Sequence, residues 1–351
     1  MEWRQEKDKL IVKSIEGEFY FNMPSNFNLK KVHPDLLKLT EMVLFSPWHD
    51  DILKDYIFTR KQGNKIGLAF SGGADSCAAY CLLPKDSTIP YYHKRTGGDR
   101  LMRQENPHKV IRDNKIDCVI IGSNHESIRT YYELFNGFST DLAVLAGLIL
   151  LADQLDLGYL STGMMLESTF IEKGYKFRDF DKTKYWTQWS KVFKDAGLEL
   201  FFPVITCSEV LNMKILEENN IQSISCIRGI NEWCNKCYKC FRKNCISNAG
   251  VIYNDEAKKI LSHRPLKQGA SLVYAMNKFN LDIPELSEYK GLDLSWLEGY
   301  YEPAIRLMPE KYQNYLKRQL QQYSVPMEND KIREFNLENI QKGGQNNEEK
   351  E

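Results

Sequence analysis

Six residues, Ser71-Gly72-Gly73-Ala74-Asp75-Ser76, lie between an apolar run, Ile66-Gly67-Leu68-Ala69-Phe70, and a small-residue helix start, Cys77-Ala78-Ala79-Tyr80. That order reads as strand, glycine turn and helix. Two adjacent glycines open dihedrals closed to other residues, so successive N–H groups can converge on an anion at a helix N-terminus. The anion that suits such a turn is a nucleotide phosphate. The loop lacks the Lys-Ser/Thr of a Walker A sequence and the third glycine of a dinucleotide fingerprint. Ser71 and Ser76 offer hydroxyl donors, and the amides of Gly72, Gly73 and Ala74 offer more. Asp75 repels a polyphosphate on its own, which leaves it a bound Mg²⁺ or a helix-capping duty. An ordinary Gly-Gly turn before a helix is the alternative. The register of strand, loop and helix favours the nucleotide.

Five of the nine cysteines fall between Cys226 and Cys245: Cys226, Cys234, Cys237, Cys240 and Cys245. Two-residue gaps let thiolates turn onto one ion, and a tetrahedral zinc site needs a fourth sulfur, for which Cys226 and Cys245 compete. An iron–sulfur cluster is the second option. The run opens like a bacterial ferredoxin, but Cys245 follows after four residues instead of three and Ile246 replaces the proline. Unliganded thiols are the third. A closed four-cysteine zinc site has no open coordination position, so its ion braces a loop and activates no water. Cys77, Cys81, Cys118 and Cys207 stand alone among apolar or cap residues and read as buried small hydrophobes.

The elements that must position these residues follow from the rest of the chain. Its 351 residues suffice for one large domain with an appendage, or for two. Lys and Arg balance Asp and Glu at 47 each, so no global basic field points to nucleic acid. The charged start, Met1 to Asp8, has no signal-peptide core, and the longest apolar run, near Leu142–Leu151, is shorter than a membrane span. A cytoplasmic protein with reduced cysteines is the expectation.

Strands are expected at Thr88–Tyr92, Cys118–Gly122, Tyr159–Gly163 and Leu200–Val204, and a buried helix over Asp141–Leu155. Thr206-x-x-Glu209 has the form of a capping box opening a helix. Alternating strands and helices of this kind build an α/β fold, an open parallel sheet of about five strands that binds ligands at the carboxyl ends of its strands. Residues 1–60 form an N-terminal extension, a β-hairpin and a helix starting near Pro34; 61–250 are the ATP-binding α/β domain with the zinc loop at 226–245. Residues 251–335 are a helical C-terminal region, including one helix over Glu302–Tyr323, and 336–351 a disordered tail. The helical region packs on the core or on a partner, a homodimer among the options.

The Ser71–Ser76 loop resembles the SGGxDS loop of the PP-loop ATP pyrophosphatases, which have the adenine nucleotide alpha hydrolase-like fold. Members split ATP between its α- and β-phosphates and place AMP on an oxygen of a second substrate. With the Cys226-x7-Cys234-x2-Cys237-x2-Cys240 cluster, and the order of Phe202-Pro203, Ser208-Glu209 and Ser225-Cys226, residues 64–250 resemble the 7-cyano-7-deazaguanine synthase family. The chain departs from that family at Asn235 and Lys243, where Gly and Arg are usual. The resemblance implies adenylation of the carboxylate of 7-carboxy-7-deazaguanine, displacement of AMP by ammonia to give an amide, and a second activation to the nitrile. It also implies ATP and Mg²⁺, and Zn²⁺ on Cys226, Cys234, Cys237 and Cys240.

Attack of a carboxylate on the α-phosphate needs positive charge more than a general base, because the carboxylate is already ionised. Asp75 and Ser76 belong to the reacting loop. Lys94 and Arg95, just beyond the second core strand, are candidates for the positive charge, as are Arg228, Lys236, Lys239 and Arg242 near the cysteines, against a default of solvated surface charges. His93 and His125 lie near strand ends, and His125 is the better placed to serve a leaving group or ammonia, against a structural role. Glu167 is a candidate polar anchor or an exposed loop carboxylate. Four functions compete: a synthase making an amide or nitrile from a small heterocyclic acid; a relative joining a deazaguanine to a protein amine in anti-phage defence; a tRNA thiolase; and a non-catalytic nucleotide-binding protein. Zero net charge offers little to the RNA-directed reading.

Overall fold

The computed structural model describes residues 1–96 and 104–339. The chain divides into two compact units. The first comprises Met1–Ser71, Pro84–Thr162 and Lys184–Phe201; the second comprises Gly72–Leu83, Gly163–Thr183 and the chain from Phe202 onward.

In chain order the strands are β1 (Glu2–Glu6), β2 (Lys9–Ser14), β3 (Gly17–Asn22), β4 (Lys65–Ala69), β5 (Thr88–Arg95), β6 (Val119–Ser123), β7 (Leu157–Ser161), β8 (Ile171–Glu172), β9 (Lys176–Phe177) and β10 (Glu199–Leu200). The α-helices are α1 (Pro34–Phe45), α2 (Ala74–Leu82), α3 (Glu105–Asp113), α4 (Ile128–Tyr131), α5 (Ala146–Leu150), α6 (Lys184–Asp195), α7 (Glu209–Glu218), α8 (Tyr238–Ser247), α9 (Asp255–Leu261), α10 (Gly269–Phe279), α11 (Glu310–Gln321) and α12 (Asn329–Glu334). Among the described residues no helix is long and apolar enough to cross a membrane.

The first unit is built on an eight-stranded sheet of order β1-β2-β3-β6-β5-β4-β7-β10. Five of its strands, β6, β5, β4, β7 and β10, run parallel, as the alternating pattern predicts. The sheet is larger and more mixed than that pattern shows, because β1, β2 and β3 form an antiparallel meander that joins the parallel set where Phe21 pairs with Ser123. The expected hairpin is therefore three strands. β1, Glu-Trp-Arg-Gln-Glu, has no apolar alternation to announce it; its pairing with β2 makes it a strand. Leu10, Val12 and Phe21 are fully buried, and every residue of β7 is buried.

Three expected helical features differ for identifiable reasons. The run at Asp141–Leu155 yields a 3₁₀ turn at Ala143–Leu145 and only the five residues of α5. Its centre, Leu145–Ala152, is apolar on all sides and buried, so packing overrides the helix preference of Leu and Ala. The expected helix at Glu302–Tyr323 is a 3₁₀ stretch, Glu302–Leu307, followed by α11. Pro309 separates them, holding Met308 extended at ψ 155°. The residue that caps α7 is Ser208, whose Oγ accepts from the Leu211 N–H at 3.0 Å, in place of Thr206. Thr206 instead ends the 3₁₀ turn Pro203–Thr206, which also cuts the expected strand at Leu200–Val204 down to β10.

In the second unit α2 packs on α7, and α8 on α10. Of the expected tail, Asn336 bridges Lys176 and the Leu337 N–H donates to the Tyr175 carbonyl at 2.8 Å. Residues 340–351 lie outside the described residues.

Candidate phosphate loop and cysteine centre

Gly72 has φ +72°, a left-handed conformation that a side chain would strain. Gly73 then stands in the N-cap position of α2 and brings no side chain to cap it. The turn is held from outside: the Gly72 carbonyl accepts the Ile224 N–H at 2.9 Å, and the Ala74 N–H donates to Ser225 Oγ at 3.0 Å. The buried Ser76 hydroxyl donates to the Gly73 carbonyl at 3.0 Å. Ala74 N–H and Ser76 Oγ–H thus have internal partners, which a phosphate would replace. Gly163 approaches so closely that a Cβ on it would lie 2.8 Å from the Ser76 nitrogen.

Asp75, one residue into α2, is partly exposed, and its Oδ1 meets two side chains. Asn212 Nδ2 donates to that oxygen at 3.1 Å, and Lys243 Nζ lies 3.7 Å from it. Asn212 comes from α7 and Lys243 from α8. Behind them Glu209, wholly buried at the start of α7, receives Arg242 Nε at 2.8 Å on Oε2, Arg242 Nη2 at 3.0 Å on Oε1 and Lys243 Nζ at 2.7 Å on Oε1. Burial alone would raise the Glu209 carboxyl; Arg242 and then Lys243 overcome it and hold the group well below the ordinary range. Its neighbour Glu167 is equally buried, and Oε1 accepts the Glu209 N–H at 2.8 Å and the Ser271 hydroxyl at 2.7 Å. With no cation beside it among the described residues, burial and then the Glu209 charge push Glu167 up to about 7. Glu167 is therefore an internal group; the exposed loop carboxylate is not what the chain builds.

Cys226, Cys234, Cys237 and Cys240 bring their sulfurs within 4.8 Å of one another. Cys237 caps α8 and Cys240 lies on its first turn, so the helix presents two sulfurs on one face. Cys226 and Cys234 arrive from the preceding loop. The N–H groups of Gly229 (3.0 Å), Arg228 (3.4 Å) and Cys234 (3.4 Å) all point at Cys226 Sγ. Burial would raise the Cys226 thiol, yet those amides outweigh it and hold the group below its ordinary value. Four buried or half-buried sulfurs with donors around them can hold a metal ion. Cys245 belongs elsewhere, buried in the last turns of α8.

Lys94, Arg95, His93 and His125 belong to the first unit, whereas Arg228, Lys236 and Lys239 lie in the second, Arg228 paired with Glu256 and the two lysines exposed. Arg95, at the end of β5, gives its guanidinium to Glu126, with Nε 2.6 Å from Oε2, and lies over the Phe138 ring. Lys94 beside it is exposed. His93 and His125 are buried with ring centroids 4.6 Å apart, and Ser123 Oγ is 3.0 Å from His125 Nδ1. Burial, then Arg95, pushes His93 down to about 3, and burial with His93 and Arg95 takes His125 well below its ordinary value. Both rings are neutral at physiological pH, which suits a packed core more than proton transfer to solvent. The structure thus gathers Asp75, Ser76 and the cysteine-bearing α8 in one unit, through Asn212, Glu209 and Lys243. Asn212 has no sequence signal beyond its type; Glu209 reads as the acid of a capping box and Lys243 as a departure from the resembled family's usual Arg, and neither reading brings it to Asp75.

A family described as "Family of unknown function (DUF6395)" matches residues 188–337. No curated protein matches the sequence. Among solved structures, the U34-tRNA thiolase NcsA from Methanococcus maripaludis with its [4Fe-4S] cluster is similar at 12% identity, covering 74% of this chain and 84% of that one, with a TM-score of 0.30. The chain combines an α/β fold with a four-cysteine centre placed to bind metal.

Proposed function

We propose that this chain is an ATP-dependent enzyme that forms AMP and pyrophosphate, activating a carboxylate in the manner of the 7-cyano-7-deazaguanine synthases. The observation that carries the reading is the turn at Gly72–Ser76: a left-handed glycine, then the N-terminus of a nine-residue helix, with Asp75 at its mouth. The N-terminus of a helix, with its dipole, favours a phosphate. In the first step an oxygen of the acid attacks the α-phosphorus of ATP; the bond to the bridging oxygen of the β-phosphate breaks, and pyrophosphate leaves. Ammonia then bonds to the acyl carbon, AMP departs with the carboxyl oxygen, and the nitrogen loses a proton. Asp75, anchored by Asn212, is the residue to hold Mg²⁺, which neutralises the leaving pyrophosphate when bound. Positive charge beside the loop supports the same step.

The cysteine centre fits zinc better than a cluster. Cys237 and Cys240 sulfurs are 3.5 Å apart and Cys234 and Cys240 3.8 Å apart. Four sulfurs at about 2.3 Å from one tetrahedral ion stand about 3.8 Å from each other. A four-iron cube places a separate iron on each sulfur and needs them spread wider. Cys226, Cys234, Cys237 and Cys240 would hold the zinc, which would brace the loop that carries Ser225 against Ala74.

The test is incubation with Mg-ATP, 7-carboxy-7-deazaguanine and ammonium, reading nucleotides and deazapurines by mass spectrometry against Asp75→Ala. AMP with an amide or nitrile, abolished in the variant, is expected. AMP without a released deazapurine moves the acceptor to a protein amine, and no AMP with any carboxylate sinks the adenylation reading.

A further inference from the structure

The loop at residues 71–76 contains no cation, and its one charge, Asp75, has the sign of the phosphates it faces. A polyphosphate held there needs positive charge from outside the loop. In the second unit the nearest buried cations lie on α8, and their settings differ. Arg242 Nη2 donates to Glu209 Oε1 at 3.0 Å and its Nε lies 2.8 Å from Oε2, an ion pair that fixes it. Lys243 has its Nζ 2.7 Å from the same carboxylate, which Arg242 already neutralises. Its second neighbour, Asp75 Oδ1, is 3.7 Å away, longer than a hydrogen bond, and that oxygen already accepts from Asn212. An ammonium has three donors, so Lys243 keeps N–H groups unspent on the side of the loop. The ammonium itself is buried, and the side chain lies against a groove of about 1140 Å³ whose walls include Val210, Met213, Ile221, Trp233 and Ile246.

We propose that Lys243 is the cation of the phosphate loop, supplied from α8, and that it binds the phosphates of a nucleoside triphosphate seated at Gly72–Ser76. Its ammonium exchanges the long contact with Asp75 for phosphate oxygens, while Glu209 keeps its stem in place. Asp75 retains Asn212 and is freed for a divalent cation. This inference rests on the nucleotide reading of the loop.

The experiment measures Mg-ATP and AMP binding by calorimetry in the full-length chain and in Lys243→Met, Lys243→Gln and Lys243→Arg, with bound metal and melting temperature recorded as checks of folding. Losing a charge-assisted bond to phosphate is expected to weaken ATP by about tenfold or more in the Met and Gln variants. AMP, with a single phosphate, loses much less, and Lys243→Arg stays near wild type for ATP. Equal losses for ATP and AMP, or restoration failing in Lys243→Arg while the fold is intact, would mean that Lys243 only props the loop and overturns the proposal. Unchanged ATP affinity in the Met and Gln variants overturns it while leaving the loop's nucleotide role standing. A wild-type chain that binds neither nucleotide removes both readings. If the Met variant does not fold, the Gln variant carries the comparison.

Discussion

Glu167 and Glu209 lie together in the interior and show what a partner decides. Glu209 has two cations and stays charged; Glu167 has two neutral donors and a titration near 7. Its folded value is above the ordinary 4.5, so the folded chain binds this proton more tightly than the unfolded chain. The associated stability is fully present below pH 4.5 and is lost as pH rises through 7. A shift of this size corresponds to about 3 kcal/mol. Glu167→Gln keeps an oxygen to accept from Glu209 and Ser271 and removes the titration. We expect its stability relative to wild type to rise from pH 4.5 to pH 8 in urea unfolding; a constant difference across that range would place the carboxyl's titration elsewhere.

At the scale of elements, the cysteine loop and α8 stand or fall together, because Cys237 and Cys240 begin the helix and Cys226 and Cys234 hold its N-terminus from outside. Cys226→Ser should therefore lose bound zinc, and Cys245→Ser should keep it, as read by metal analysis of purified protein. Chelation should expose the first-turn amides of α8 to hydrogen exchange while the amides of β4 stay protected. The parallel strands and the glycine loop were legible in the sequence because each writes its own local pattern, an apolar run and a pair of glycines. β1 was not, since only its partner makes it a strand, and the break in the expected helix at Glu302–Tyr323 was written in Pro309 and overridden by the apolar period around it. The cysteine spacing left Cys226 and Cys245 equal. Only folding separates them, by sending Cys245 to the far end of α8. Glu209, Asn212 and Lys243 were illegible as a group because helix contacts assemble them from distant positions.

At the scale of the whole molecule, neither compact unit is one continuous stretch of chain. The matched family region, residues 188–337, contains most of the second unit but not α2 or residues 163–183. α2 contributes Cys77, Ala78, Ala79 and Leu82 to the buried interior and packs on α7. A fragment of residues 188–337 is accordingly expected to show helical circular dichroism without a cooperative melting transition; a sharp transition like that of the full chain would show that α2 is dispensable to the core. The sheet of the first unit ends on β1, whose Arg4 pairs with Glu6 and Glu18 across an exposed face. The strand behind it, β2, is Lys-Leu-Ile-Val-Lys-Ser with an apolar centre. Between them the Lys7-Asp8 turn is exposed. Peeling β1 away there would strip a charged hem from the fabric and leave an apolar selvedge, ready to be stitched to the same border on another copy.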